Sequence, residues 1–117
     1  MKNSKILLAL TLFFGIFATI NLNAQSKKSQ TETFKVWGNC GMCKKTIEKS
    51  LNSKGISKAE WNMETKMMTV VFNPKKISLS QIHKKIASVG YDTEQETASD
   101  EVYNKLHGCC KYERKNR

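Results

Sequence analysis

An α+β sandwich of element order βαββαβ, with a four-stranded antiparallel sheet and two helices on one face, is predicted for this chain from three observations. Apolar residues recur at helical spacing in two stretches, near 42–52 and 78–88. Four extended stretches surround them in the order strand, helix, strand, strand, helix, strand. Glycines and the single proline fall at the joins between stretches.

The first strand covers Thr31 to Trp37, where Phe34 and Val36 share one face and Lys35 takes the other. Gly38 and Gly41 then bracket a loop that can bring backbone close to a bound ion. From about Met42 to Asn52 the period becomes helical, with Ile47 and Leu51 on one side and Lys44, Lys45, Glu48 and Lys49 elsewhere. Gly55 closes this helix as a cap or turn. Ile56 to Asn62 is the second strand, with Ala59 and Trp61 facing one way, and 63–66 is a turn. Met67 to Phe72 is the third strand, and Met68, Val70 and Phe72 are assigned to its buried side.

Asn73-Pro74 stops that strand, because proline cannot donate to the ladder. Ser78 is an N-cap for a second helix running to about Ser88, on which Leu79, Ile82, Ile86 and Val89 form the apolar stripe. His83 is placed on its polar side, at the surface. Gly90 ends the helix, and Tyr91 to Glu96 is a short polar strand suited to a sheet edge. This order is the split βαβ, ferredoxin-like arrangement. A short helix within Ala98 to Leu106, starting near Ser99, and a basic tail follow.

With 117 residues, 26% of them charged, the chain has room for one small domain and no catalytic cleft of ordinary size. Residues 1–24 have the layout of a secretory signal peptide: Lys2 and Lys5, an apolar run from Ile6 to Ile20, and cleavage expected after Ala24. The apolar run falls short of the roughly 20 residues a membrane span needs, and no lipid-accepting cysteine follows it. A periplasmic or secreted chain with no stable membrane insertion after removal of the leader is expected. Residues 25–30 are a flexible lead-in, 31–97 the domain, and 98–117 the C-terminal helix and tail. Losing Lys2 and Lys5 leaves 18 basic against 10 acidic residues, a net charge of +8. The lysines are scattered rather than interleaved with aromatics, so a solvated basic surface is expected and a nucleic-acid partner is not.

All four cysteines, Cys40, Cys43, Cys109 and Cys110, lie beyond the leader. Neither C-x-x-C nor adjacent Cys-Cys makes a useful disulfide staple, since each closes too small a loop to constrain the unfolded chain. Cys40 and Cys43 stand where an extended run gives way to a helical one, so both sulfurs can turn toward one ion. Free amides at the helix start, with Lys44 and Lys45, favour thiolate over thiol. Two thiolates suit Cu(I), Zn(II) or Hg(II), because polarizable sulfur matches polarizable cations. The competing reading is a thiol–disulfide oxidoreductase using the same pair, which calls for a thioredoxin-like context the element order does not provide. No nucleophile stands with a base, so a binding module rather than an enzyme is expected.

Several of these segments together resemble the heavy-metal-associated domain family. They are Phe34-Lys35-Val36, the loop holding Cys40 and Cys43, 46–51 on the first helix, 68–74 at the end of the third strand, and Val89-Gly90-Tyr91-Asp92. The resemblance covers residues 32–96 and implies that Cys40 and Cys43 ligate one metal ion that passes to a partner, such as a metal transporter or another metal-binding domain, by ligand exchange. Cu(I) leads as the ion, with Hg(II) next and Zn(II) also admitted. Tyr91 matches an aromatic that packs beside the metal loop in bacterial members. The chain departs from the family at Gly38, where a buried loop-anchoring methionine is usual. Its own methionine, Met42, lies between the cysteines and either folds inward, the preferred reading, or stays exposed as a soft auxiliary donor.

His107-Gly108-Cys109-Cys110 is not explained by the family. His107, Cys109 and Cys110 offer soft and borderline ligands, either auxiliary to the main pair or forming a second site. A helix of about nine residues after the last strand, rising about 1.5 Å per residue, would carry the chain back about 14 Å toward Cys40 and Cys43.

Overall fold

The computed structural model describes residues 29–116, so the expected signal peptide, most of the lead-in and Arg117 lie outside the described residues. Its elements are β1 (Gln30–Lys35), α1 (Gly41–Ser50), β2 (Ile56–Trp61), β3 (Met67–Phe72), α2 (Leu79–Ser88) and α3 (Asp100–Asn104), followed by a 3-10 turn at Gly108–Cys110. Among the described residues no helix is long and apolar enough to cross a membrane.

β3 is the middle strand, antiparallel to both β1 and β2. Met68 lies opposite Phe34 on one side and Trp61 on the other, while Val70 lies opposite Glu32 and Ala59. Because side chains alternate along a strand, Met68, Val70 and Phe72 point together into the core, as predicted, and Met67, Thr69 and Val71 point the other way. Ile47 and Leu51 from the α1 segment and Ile82 and Ile86 from α2 close over that same face. Burying each such side chain contributes about 1.5–3 kcal/mol, so this layer supplies most of what holds the helices to the sheet.

The two main helices start differently, and the difference matters for the site. α2 opens with a capping box: the Ser78 hydroxyl accepts from the Gln81 amide at 3.1 Å, and the Gln81 side chain accepts from the Ser78 amide at 2.9 Å. α1 has Cys40 at its N-cap position in extended conformation and no oxygen cap, which leaves its first amides to face sulfur.

The predicted fourth strand over Tyr91 to Glu96 is reduced to an isolated antiparallel bridge between Val36 and Thr93. Side chains within the segment divert its backbone. The Thr93 hydroxyl accepts from the Gln95 and Glu96 amides at 3.2 and 2.9 Å, and the Asp92 carboxylate accepts from the Ala98 amide at 2.8 Å. Such local bonds compete with a ladder and fold the chain into a turn after one bridge. The sheet of the described residues therefore has three strands.

His83 is buried, 1% exposed, rather than on the surface. Its Nδ1 lies 2.6 Å from the Thr93 hydroxyl, and its ring centroid lies 4.0 Å from that of Phe34. Its position explains this, since Leu79, Ile82, His83 and Ile86 follow the i, i+3, i+4, i+7 spacing of one apolar stripe.

Ser99 caps α3 by accepting from the Val102 amide, as its position before Asp100 and Glu101 suggested. The chain beyond α3 is built into the body of the protein. The Tyr112 hydroxyl is buried, donating to the Gly90 carbonyl at 2.7 Å and accepting from the Asp92 amide at 2.9 Å. Arg114 grips both carboxylate oxygens of Asp92, at 3.0 and 2.8 Å, and reaches Asp100 at 2.6 Å. Gly90, at φ +106°, permits the turn that precedes this latch, and a β-carbon there would come within 3.0 Å of Leu106.

Candidate metal centre

Cys40 and Cys43 sit at the entrance to α1, one on the cap and one in the first turn, with their sulfurs 3.9 Å apart. Cys43 is fully buried against the core and Cys40 is half-buried at its edge, so the pair has one anchored and one accessible thiol. The backbone N–H groups of Cys43 and Met42 face the Cys40 sulfur and lower its pKa to about 7, with burial opposing them. The amides do this rather than Lys44, whose ammonium is held by Glu48 at 2.6 Å and by the Trp61 carbonyl at 2.7 Å.

The loop that leads into the pair packs against Trp61, whose indole lies beside Gly38. A β-carbon at Gly38 would come within 2.8 Å of the Trp61 ring, so the absence of a side chain at 38 is what admits the indole. The indole is fixed in turn, its Nε1 donating to the carbonyls of Val36 and Lys66 at 3.1 and 3.2 Å. Met42 does not fold inward. It is 46% exposed on the first turn of α1, where its side chain projects away from the core.

The C-terminal tail returns to this end of the molecule. The sulfurs of Cys40, Cys43 and Cys110 all lie within 4.8 Å of one another, the only group of three or more metal-ligating side chains of this kind among the described residues. Cys110 is buried, and that burial, with the Cys43 thiol beside it, pushes its pKa up to about 12. Cys109 is exposed, with its sulfur 3.5 Å from that of Met42 and 3.9 Å from that of Cys110. Its carbonyl accepts from the Asn39 side-chain amide at 3.3 Å and lies 3.5 Å from the Cys40 sulfur, tying the tail to the loop. His107 is exposed and is not part of the three-thiol group; its carbonyl accepts the Cys110 amide at 2.8 Å.

Tyr91 lies behind the sulfurs, fully buried and stacked on Tyr112 with ring centroids 5.4 Å apart. Its hydroxyl has no hydrogen-bond partner of ordinary geometry, and burial beside the Cys43 and Cys110 thiols raises its pKa. The site roles that sequence reasoning missed are those of Asn39, Trp61, Tyr112 and Arg114. Each acts through a contact many residues away along the chain, and no local pattern announces it.

A βαββα body that presents two thiols on a strand-to-helix loop, one activated by helix amides and one buried, defines a domain of the soft-metal-binding class. The chain belongs to the heavy-metal-associated domain family, whose model matches residues 33–92. It is 37% identical over 54 residues to the copper chaperone CopZ of Staphylococcus aureus (strain bovine RF122 / ET3-1), covering 45% of this chain and 79% of that one. It is 38% identical over 69 residues to a zinc-transporting ATPase of Synechocystis, covering 57% of this chain but only 10% of the ATPase. Among solved structures it resembles oxidized MerP from Ralstonia metallidurans CH34, with a TM-score of 0.54 and 32% identity over 56% of this chain and 94% of that one. The Cu(I)-loaded N-terminal domain of a potential copper-translocating P-type ATPase from Bacillus subtilis gives a TM-score of 0.55 and 29% identity, over 63% and 95% of the respective chains.

Proposed function

We propose that this chain is an exported binding protein that takes up one soft metal ion, Cu(I) foremost, through Cys40 and Cys43, and sequesters it or hands it on. The observation that carries the reading is the geometry of the pair: two sulfurs 3.9 Å apart on a loop that opens a helix, one of them with its pKa lowered to about 7. Thiolate sulfur favours Cu(I), and admits Hg(II) and Zn(II). The copper-chaperone likeness supports Cu(I) and the zinc-transporting ATPase Zn(II), while Hg(II) rests on the thiolate chemistry. The ion is cargo, and the protein supplies no catalytic step. Receipt by a metal transporter or another metal-binding domain is supported by the matches to metal-transporting ATPases. Export rests on the leader-like residues 1–24.

Hand-over would proceed by an incoming thiolate joining the ion before Cys40, the more accessible sulfur, leaves it. Cys43, buried and fixed by the core, would leave last.

One observation favours a second reading. An activated Cys40 beside a buried Cys43 is also the asymmetry of a thiol–disulfide oxidoreductase pair. Anaerobic Cu(I) titration and insulin reduction, run on the same leaderless chain, separate the two. The metal reading predicts one tightly bound Cu(I), strongly weakened in Cys40→Ser, and no turnover of insulin. Unchanged binding in Cys40→Ser, or insulin reduction without dependence on Cu(I), overturns it.

A further inference from the structure

We infer that Cys110 is a resident third ligand, so that the metal is held in a three-sulfur site rather than by the C-x-x-C pair alone. The inference rests on the metal-binding reading above and specifies the coordination of that same site.

Sulfur spacing carries the first step. Two sulfurs about 2.3 Å from a common ion stand about 4.6 Å apart if the ion is two-coordinate and linear, and about 4.0 Å apart if three sulfurs surround it in a plane. The Cys40 and Cys43 sulfurs are 3.9 Å apart, which matches the second case. Cys110 places its sulfur within 4.8 Å of both, so it need move less than about 1 Å to complete the triangle.

The second step is preorganisation. Cys110 is held on both sides along the chain and does not depend on a loose tail finding the site. On the N-terminal side, its amide bonds to the His107 carbonyl and Leu106 packs on Gly90. On the C-terminal side, Tyr112 spans Gly90 and Asp92 with its buried hydroxyl, and Arg114 clamps the Asp92 carboxylate, which is entirely shielded from solvent. Tyr103 adds a hydrogen bond from its hydroxyl to the Tyr112 carbonyl at 2.7 Å and an edge-on ring contact. Bringing up a third ligand from a disordered tail would cost ordering entropy at every binding event; here that cost falls on folding.

Chemistry fits the geometry. Each metal–sulfur bond replaces an S–H bond, or takes up a thiolate already formed, and any displaced proton leaves to solvent without electron transfer. Three thiolates and no described imidazole or carboxylate select a soft, low-coordinate ion, and a fourth donor for tetrahedral zinc is absent from the group. Cys109, exposed and turned toward Met42, stays outside the triangle.

X-ray absorption on the intact leaderless chain loaded anaerobically with one equivalent of Cu(I) tests this directly. Three sulfur neighbours are expected in the wild-type protein and in Cys109→Ser, and two in Cys110→Ser. Competition with a Cu(I) chelator is expected to show Cys110→Ser weakened by about 100-fold or more, since losing a ligand costs at least as much as losing an outer-shell partner of one, which takes roughly 10–100-fold. Two sulfurs in the wild-type protein overturn the inference while leaving the C-x-x-C reading intact, and that measurement needs no variant that must fold. Three sulfurs that persist in Cys110→Ser overturn it equally, because the third would then come from elsewhere. Failure of the wild-type chain to bind Cu(I) would overturn the parent reading instead.

Discussion

Replacing Arg114 with alanine should destabilise the apo protein by about 3–5 kcal/mol, the cost of leaving a buried charge without its partner. The figure follows from the asymmetry of the site. The Asp92 side chain is fully shielded while Arg114 is 12% exposed, and the guanidinium holds both carboxylate oxygens. After the substitution Asp92 keeps only backbone partners, the Ala98 amide at 2.8 Å and the Lys115 amide, too little to compensate a fully buried carboxylate for its lost countercharge. The Arg114–Asp100 contact adds little, since Asp100 is 67% exposed. Urea denaturation of the reduced apo chain at pH 7, followed by the fluorescence of Trp37 and Trp61, measures the loss. Adding Asp92→Asn to Arg114→Ala should recover part of it by removing the orphaned charge. A loss below about 1 kcal/mol would refute the claim that this latch seats the tail.

Other outcomes follow from the same contacts. Gly38→Ala should cost about 1–3 kcal/mol, because its β-carbon meets an indole that two hydrogen bonds hold in place; calorimetry of the apo protein checks it. Tyr112→Phe strips the Gly90 carbonyl and the Asp92 amide of their buried partner, and a loss of about 2–5 kcal/mol is expected in the same urea assay. Stability should also fall with acid in two windows. Burial lowers the His83 pKa below its ordinary value of about 6.5, so the unfolded chain binds the proton first and stability drops as pH falls below that value. Burial alone would raise the Asp92 carboxyl, but Arg114 and the Ala98 amide outweigh it and hold it below its ordinary 3.8. Its contribution is therefore complete above that value and is lost as pH falls through the folded-state one, and Asp92→Asn should abolish this lower window in acid titrations of unfolding free energy.

The parts of this protein that were legible in the sequence are those governed by local periodicity and caps. Met68, Val70 and Phe72 show their buried face by simple alternation, and Ser78 marks the start of α2 by a hydroxyl three residues before Gln81. The C-x-x-C loop was legible for the same reason, since its position at a change of period already places both sulfurs at a helix entrance. What was not legible depends on side chains that capture backbone at a distance. Tyr91 to Glu96 suits a short polar strand at a sheet edge, yet Asp92 and Thr93 spend their side chains on amides two to six residues ahead and end the ladder after one bridge. His83 was misplaced by its polarity alone, although its spacing from Leu79, Ile82 and Ile86 put it on the apolar stripe. Met42 was expected to take the missing anchor's place, but the gap beside Gly38 is filled by Trp61, which arrives from β2. The return of Cys110 to the site depends on Tyr112 and Arg114 finding Gly90 and Asp92, 22 residues earlier, and no local pattern encodes that pairing.

The account's central claim, that Cys40 and Cys43 hold one soft metal ion per folded chain, is tested most directly by native mass spectrometry of a chain lacking residues 1–24 after anaerobic Cu(I) loading and challenge with a competing chelator. One retained Cu(I) per chain is predicted for the wild-type protein, and none for a chain carrying both Cys40→Ser and Cys43→Ser. Retention of the ion by that double variant, or its loss from the wild-type chain, would contradict the account.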